Sequence, residues 1–131
     1  MDPKPPINYG KGPEAKIQED IIRMLERYGW TVIVTHGNEY QFGLPDLYAM
    51  RPIFKSSKGT HGESRWIEVK NPERFSFTRA QIQRFPEFLK AGIGIWVMVA
   101  ATETEYKKLF DEPNLWVYMN RFSKTIHRRN Q

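Results

Sequence analysis

The segment 93–101, IGIWVMVAA, carries no charged side chain, and it constrains the fold more than any other feature of the sequence. An apolar run of this length is typical of a β-strand that is buried on both faces. Such a strand needs a layer of structure against each face of its sheet, and helices commonly supply those layers. The segment therefore predicts a sheet with helices on both sides.

The clearest helical pattern lies between residues 14 and 28, where apolar side chains recur at helical spacing from Ile17 to Tyr28. Pro13 suits the first turn of a helix, and Gly29 can end it. A second helix is predicted from a cap at Thr78 to residue 91, and Pro86 should kink or split it.

Three strands are predicted between the two helices, over 30–35, 46–50 and 65–70. Residues 51–64 carry Pro52, Ser56, Ser57, Gly59 and Gly62 among basic residues, and they predict a long hairpin loop that is flexible and exposed. A short helix at 103–110 and an edge strand at 115–119 should follow the apolar strand. The order α-β-β-β-α-β predicts an α/β domain with a central mixed β-sheet flanked by helices, and with the first helix packed across the sheet.

Length and composition predict a single domain over residues 13–120. Residues 1–12, rich in proline and glycine, predict a flexible amino-terminal arm, and residues 121–131 predict a basic tail. There is no cysteine, which excludes disulfides and thiolate metal sites. No signal peptide or membrane span is evident, so an intracellular protein is expected. The net charge of +5 and pI near 9.5 favour a polyanionic partner, such as DNA.

Two carboxylates and a lysine form the strongest candidate site. Glu68 and Lys70 alternate along one strand and therefore share a face. Asp46 opens the preceding strand, although aspartate is disfavoured in strands. Paired strands lie about 4.8 Å apart, so a hairpin can bring Asp46 and Glu68 close enough to share one cation. Hard carboxylate oxygens suit Mg²⁺, with Mn²⁺ as a substitute, and no small-molecule cofactor is expected.

The roles of the neighbouring groups stay open from spacing alone. Lys70 could position an attacking water or stabilise charge on a phosphate. Glu14 and Gln18 share a face of the first helix and could add a further ligand, with Glu19 as a rival. Gln81 lies three residues after the predicted cap, where its amide could reach metal-bound water or phosphate.

These residues resemble a known family. The strings GLPDL at 43–47 and IEVK at 67–70 look like the signature of the PD-(D/E)xK nucleases. The flanking strings EAKIQ at 14–18 and SFTRAQ at 76–81 are similar to VRR-NUC domains. The archaeal Holliday-junction resolvases are a related resemblance, with the same order of acidic residues and lysine. The similarity covers residues 14–100 approximately.

The resemblance implies a restriction-endonuclease-like fold and magnesium-dependent cleavage of phosphodiester bonds in DNA. By this resemblance the catalytic residues are Glu14, Asp46, Glu68, Lys70 and Gln81. The metal ligands it implies are Asp46, Glu68, Glu14 and the backbone carbonyl of Val69.

Basic residues beside this site predict contacts to the DNA backbone. The candidates are His36, Lys55, Lys58, Arg74, Arg79 and Arg84. The leading hypothesis is a hydrolase, a structure-selective DNA endonuclease that cuts Holliday junctions or branched DNA in recombination, repair or phage DNA processing. It would be a homodimer without contact to a membrane. The alternatives are a nicking or general endonuclease and a catalytically silent nucleic-acid-binding module.

Overall fold

The computed structural model describes residues 13–35, 43–73 and 76–119, which form one sheet and the helices around it. The elements in chain order are α1 (Pro13–Arg27), β1 (Thr31–Val34), β2 (Leu47–Ser56), β3 (Gly59–Val69), α2 (Arg79–Lys90), β4 (Ile95–Met98) and α3 (Glu103–Lys107), with a 3₁₀ turn at Lys108–Phe110. This order is the α-β-β-β-α-β sequence of elements that the sequence predicts. Within these ranges, no helix is long and apolar enough to cross a membrane.

The sheet has the strand order β1-β2-β3-β4. The β1–β2 and β2–β3 pairs are antiparallel, whereas β3 and β4 are parallel. The parallel pair requires a crossover connection, and α2 supplies it. The predicted mixed sheet is therefore confirmed.

Alternation along β3 divides the core between the two faces of the sheet. Ile67 and Val69 point to one face, where they are fully buried against α1 and the α3 region. Trp66 points to the other face and packs with Phe85 and Phe88 of α2. Glu68 lies on the α2 face because side chains alternate along a strand.

Residues 51–64 are not the loop that the sequence predicts. They continue β2 and β3 as a two-stranded ribbon that turns at Ser57 and Lys58. The partners Pro52 and Gly62 obscured this extension in the sequence, because both residue types normally break strands. Pro52 is tolerated because β1 pairs with β2 only as far as Met50, so proline sits on an edge where its missing N–H is not needed.

Two other predictions need correction. Pro86 does not split α2, which is one helix from Arg79 to Lys90, since proline removes only one donor and the fully buried Phe85 anchors the helix beside it. Residues 115–119 are helical, not an edge strand. Leu115 and Met119 are buried and Trp116 is exposed, which is the spacing of a helical turn and not the alternation of a strand.

Candidate active site

Asp46 and Glu68 face one another across the start of β2 and the end of β3. Leu47 pairs with Ile67, and the ladder therefore places Asp46 opposite Glu68. The Asp46 amide donates to Glu68 Oε1 at 3.2 Å, and the Val69 amide donates to Asp46 Oδ2 at 2.8 Å. The 22 residues that separate the two carboxylates are thus closed into a hairpin that holds them together.

The other oxygen of Glu68 binds two side chains. Lys70 Nζ lies 2.9 Å from Glu68 Oε2, and Gln81 Nε2 donates to the same oxygen at 2.7 Å. Lys70 Nζ also donates to Gln81 Oε1 at 3.2 Å. The three side chains are all buried, with Glu68 only 1% exposed. They form a closed network in which each polar group has a partner, as a buried polar cluster requires.

Gln81 belongs to the site and to the helix start at once. Thr78 caps α2 by accepting a hydrogen bond from the Gln81 amide at 3.2 Å. Gln81 Oε1 in turn accepts from the Thr78 amide at 3.0 Å, which completes a capping box. The box fixes the Gln81 side chain, and its Nε2 is thereby aimed at Glu68.

Burial raises the pKa of Glu68 well above its ordinary value of 4.5. The neighbouring Asp46 carboxylate raises that pKa further, while Lys70 lowers it through its charge and its hydrogen bond. Desolvation disfavours the charged form of an acid, and a single ammonium does not offset it here. A second cation nearby would stabilise the ionised form of a carboxyl group that is held in this way.

Two further contacts position Lys70. Its backbone N–H donates to the Met98 carbonyl at 3.1 Å, which ties the end of β3 to β4. Its ammonium lies 4.6 Å from the centroid of the Phe77 ring, on the face that attracts cations. Phe77 itself packs edge-on against Phe85. In the sequence, Phe77 carries no signal beyond its place one residue before the capping threonine.

The segment before Asp46 is held by Thr35 and Gly43, which the sequence analysis also did not assign to the site. The Thr35 hydroxyl donates to the Pro45 carbonyl, and its amide donates to the Asp46 carbonyl at 2.9 Å. Gly43 has φ of +77°, and a Cβ there would lie 2.7 Å from the Ala80 carbonyl oxygen. Only glycine allows this approach to α2. A buried threonine at the end of a strand gives no distinctive pattern in a single sequence.

The structure brings together Asp46, Glu68, Lys70 and Gln81. Glu14 lies in the first turn of α1, the helix that packs on the opposite face of the sheet from α2. Among the described residues, no group of three or more histidine, aspartate or glutamate side chains is arranged to hold a metal ion. Glu14 as a ligand therefore stays a prediction.

The predicted DNA contacts are spread over the surface. Lys55 and Lys58 lie in the exposed ribbon, and Arg79 is the exposed first residue of α2. Arg84 is half exposed and pairs with Glu87 at 3.6 Å. His36 and Arg74 lie outside the described residues, as do the basic tail and the amino-terminal arm.

The donor set fits a hard divalent cation. Two carboxylates meet, the Asp46 side chain is partly exposed, and cysteine is absent from the chain. Oxygen donors of this kind suit Mg²⁺ or Mn²⁺ and do not suit soft metals. The residues that could hold the ion are Asp46 and Glu68.

A solved structure described as a VRR_NUC domain is similar to this chain. The two share 22% sequence identity with a TM-score of 0.53, and the likeness covers 75% of this chain and 95% of that one. No protein-family model matches the sequence, and no curated protein matches it. The four-stranded mixed sheet flanked by helices is thus the restriction-endonuclease-like fold of a VRR_NUC domain.

Proposed function

We propose that this protein is a metal-dependent nuclease that hydrolyses phosphodiester bonds in DNA. The observation that carries the proposal is the pairing of Asp46 with Glu68 beside the buried ammonium of Lys70. The likeness to a VRR_NUC domain supports it, because this arrangement occurs on a fold shared with a domain of that name. A fold by itself does not specify a function, whereas the side chains of the site do.

Asp46 and Glu68 would hold the ion through carboxylate oxygens. The Val69 carbonyl is a further ligand in this proposal. The Val69 N–H points at Asp46, and within an extended strand the N–H and C=O of one residue face the same neighbour. When bound, the divalent ion would supply charge neutralisation at the scissile phosphate and a bound water of lowered pKa. Glu14 is the remaining candidate ligand.

Lys70 would act on the phosphate or on the attacking water. Its ammonium carries three N–H donors, and two are directed at Glu68 Oε2 and Gln81 Oε1. The third is left for a phosphate oxygen or a water. Gln81 would hold both partners in place through its amide, as a positioning residue. Developing charge on the phosphate is thus met by a donor that is already oriented.

The substrate in this proposal is branched or junction DNA, selected by shape, as in recombination, repair or phage DNA processing. The net charge of +5 favours DNA. The described residues form a single sheet domain whose exposed lysines and arginines suit phosphate contacts, which do not read base sequence. A symmetric homodimer would present two such sites to one junction.

The test compares wild type, Asp46→Asn and Asp20→Asn on labelled four-way junction, flap and linear duplex. Asp20 lies partly exposed on α1 and pairs with Lys16, so its variant controls for the change of charge. We expect Mg²⁺-dependent cutting by wild type and Asp20→Asn, a loss of at least about 100-fold in Asp46→Asn, and no cutting with chelator. Mn²⁺ should also raise the melting temperature of wild type and not of Asp46→Asn.

Rapid cutting of linear duplex with junctions left intact would replace the junction proposal by a nicking or general endonuclease. A silent binding module is the second candidate. It is favoured by one observation: both oxygens of Glu68 already bind protein groups. Salt-sensitive DNA binding without turnover on any substrate would establish that alternative.

A further inference from the structure

The ribbon, defined here as residues 52–62, is the most exposed part of the described chain. Each of its residues is exposed, and its strands project beyond the ends of β1 and β4. Its sequence, PIFKSSKGTHG, contains Lys55, Lys58 and His61 and no acidic residue. The charge of this surface is therefore positive or neutral at every position.

The base of the ribbon is fixed to the core. Arg51 Nε binds Glu63 Oε1 at 2.6 Å, and Arg65 binds the other oxygen of Glu63 at 3.2 Å. The Arg51 guanidinium also lies 4.7 Å from the Trp30 ring centroid and 5.0 Å from that of Phe110. Because these charges are paired and stacked at the base, the ribbon leaves the sheet in a defined direction.

A β-bulge determines the face of the sheet to which Lys55 points. Pro52 pairs with Gly62 and Phe54 with His61, so Ile53 is an extra residue in β2. After the bulge Lys55 pairs with Thr60. Thr60 lies an even number of residues from Ser64 and Glu68 along β3, so these three side chains share one face of the sheet. Lys55 therefore points to the same face of the sheet as Glu68.

An open groove of about 390 Å³ borders the base of the ribbon, and its lining includes Thr31, Pro52, Gly62 and Ser64 together with the paired Arg51 and Glu63. Asp46 lies opposite Glu68, and Lys55 lies opposite Thr60. β-Strands rise about 3.3 Å per residue, so the eight steps of β3 between Glu68 and Thr60 put Lys55 about 26 Å from Asp46.

We propose that the ribbon is a second DNA contact, which grips the duplex about eight base pairs from the scissile bond. The proposal rests on the proposed nuclease function and adds a minimum duplex length to it. Successive base pairs rise about 3.4 Å along a strand of DNA, so about 26 Å corresponds to about eight of them. A two-stranded β-ribbon also fits the major groove, which is about 12 Å wide.

DNA fits this surface better than a second copy of the chain. Two ribbons that met edge to edge would bring Lys55 and Lys58 of each copy together, and like charges repel when strands pair. Ser56, Ser57 and Thr60 add hydroxyl groups, which commonly contact phosphates. The exposed Phe54 ring is stacked on His61 at 4.7 Å and is thereby partly covered within the ribbon itself.

The first test measures binding in chelator, with Asp46→Asn as the parent in every case. The ribbon variant is Lys55→Gln/Lys58→Gln, and the control is Lys16→Gln/Lys107→Gln, which removes two exposed lysines of α1 and α3. We expect the ribbon variant to bind a 20-base-pair duplex about tenfold more weakly, and its salt slope to fall by about 2. The control should keep the parental slope. Equal slopes in the two variants would overturn the proposal.

The second test measures cleavage of junctions whose duplex arms are 6, 9, 12 and 16 base pairs long. Wild type should lose at least about tenfold in rate when the arm falls below about eight base pairs, whereas the ribbon variant should be slow and insensitive to length. A length dependence shared by both would overturn the ribbon contact and leave the nuclease intact. If nothing is cut, the proposed function fails, and the salt slopes alone decide the ribbon contact. A ribbon variant that changes the oligomeric state by sedimentation would assign the surface to a second copy.

Discussion

Asp46 and Glu68 are oriented by the backbone of each other's strand: the Asp46 amide donates to Glu68 Oε1, and the amide that follows Glu68 donates to Asp46 Oδ2. Each carboxylate is therefore in place only when the β2–β3 register is correct. A slip of one residue would turn Glu68 to the opposite face and separate the pair. Correct pairing of β2 with β3 is thus a condition for assembling the candidate site.

Replacing Glu68 by glutamine should change how stability depends on pH. Because burial raises the pKa of Glu68, the folded state keeps a proton that the unfolded state releases above pH 4.5. The stabilisation is complete below pH 4.5 and is lost as pH rises through the folded pKa. Wild type in chelator should lose up to about 1.4 kcal/mol per pH unit relative to Glu68→Gln within that window. Urea unfolding from pH 4 to 9 measures this difference, and parallel curves would contradict it.

Removing the Thr35 hydroxyl should weaken metal binding at Asp46 as well as the fold. Thr35→Val keeps the shape of the side chain and leaves the Pro45 carbonyl without its donor, at a cost of about 1–3 kcal/mol. The affinity for Mn²⁺, measured by calorimetry, should fall by about tenfold, since Thr35 holds the segment that carries Asp46. Thr35→Ser retains the donor and should bind the ion like wild type. Equal loss in both variants would show that packing, not the hydrogen bond, matters here.

Gln81→Ala should lose stability and cleavage together, whereas Thr102→Ala should lose only stability. Thr102 caps α3 by accepting from the Glu105 amide at 3.2 Å, and α3 packs on the face of the sheet opposite to α2. Each loss should amount to about 1 kcal/mol, as is usual for helix caps. Only Gln81 binds Glu68 and Lys70, so only its loss should slow cleavage. Equal cleavage rates in the two variants at matched fractions folded would contradict this role of Gln81.

A methyl group at Gly43 should be more damaging than one at Gly29. Both residues have positive φ, so alanine is strained at either position. A Cβ at Gly29 meets nothing within 4 Å, and the expected cost is about 1 kcal/mol. A Cβ at Gly43 would lie 2.7 Å from the Ala80 carbonyl and force the Asp46 segment away from α2. Chemical denaturation should show Gly43→Ala to be less stable than Gly29→Ala by at least about 1 kcal/mol.

The local sequence pattern predicted those features of the fold that depend on residues close together in the sequence. The helical spacing before Tyr28 and the threonine cap at Thr78 appear where the sequence places them. The pairing of Asp46 with Glu68 was also predictable, because two strands that follow one another without an intervening helix commonly pair as a hairpin. These features need no knowledge of distant contacts.

The predictions that the structure contradicts concern features that depend on tertiary contacts. Whether residues 51–64 form a loop or a ribbon depends on whether the strand edges beside them are occupied, and local composition does not report this. Residues 115–119 are too few to separate a helical turn from a strand by periodicity. The contacts of Thr35 and Gly43 join segments that are distant in sequence, so neither residue was assigned to the site.

The single extra residue at Ile53 sets the face of the sheet to which Lys55 points, and each further residue pair in the ribbon would reverse that face. Lengthening both strands by one residue pair would turn Lys55 to the opposite face of the sheet, since side chains alternate along a strand. Adding two pairs would restore the face and carry Lys55 about 6.6 Å further out, close to two base pairs of duplex. Relatives with this hairpin would then be expected to differ in ribbon length by even numbers of pairs, each length measuring its own distance along the nucleic acid.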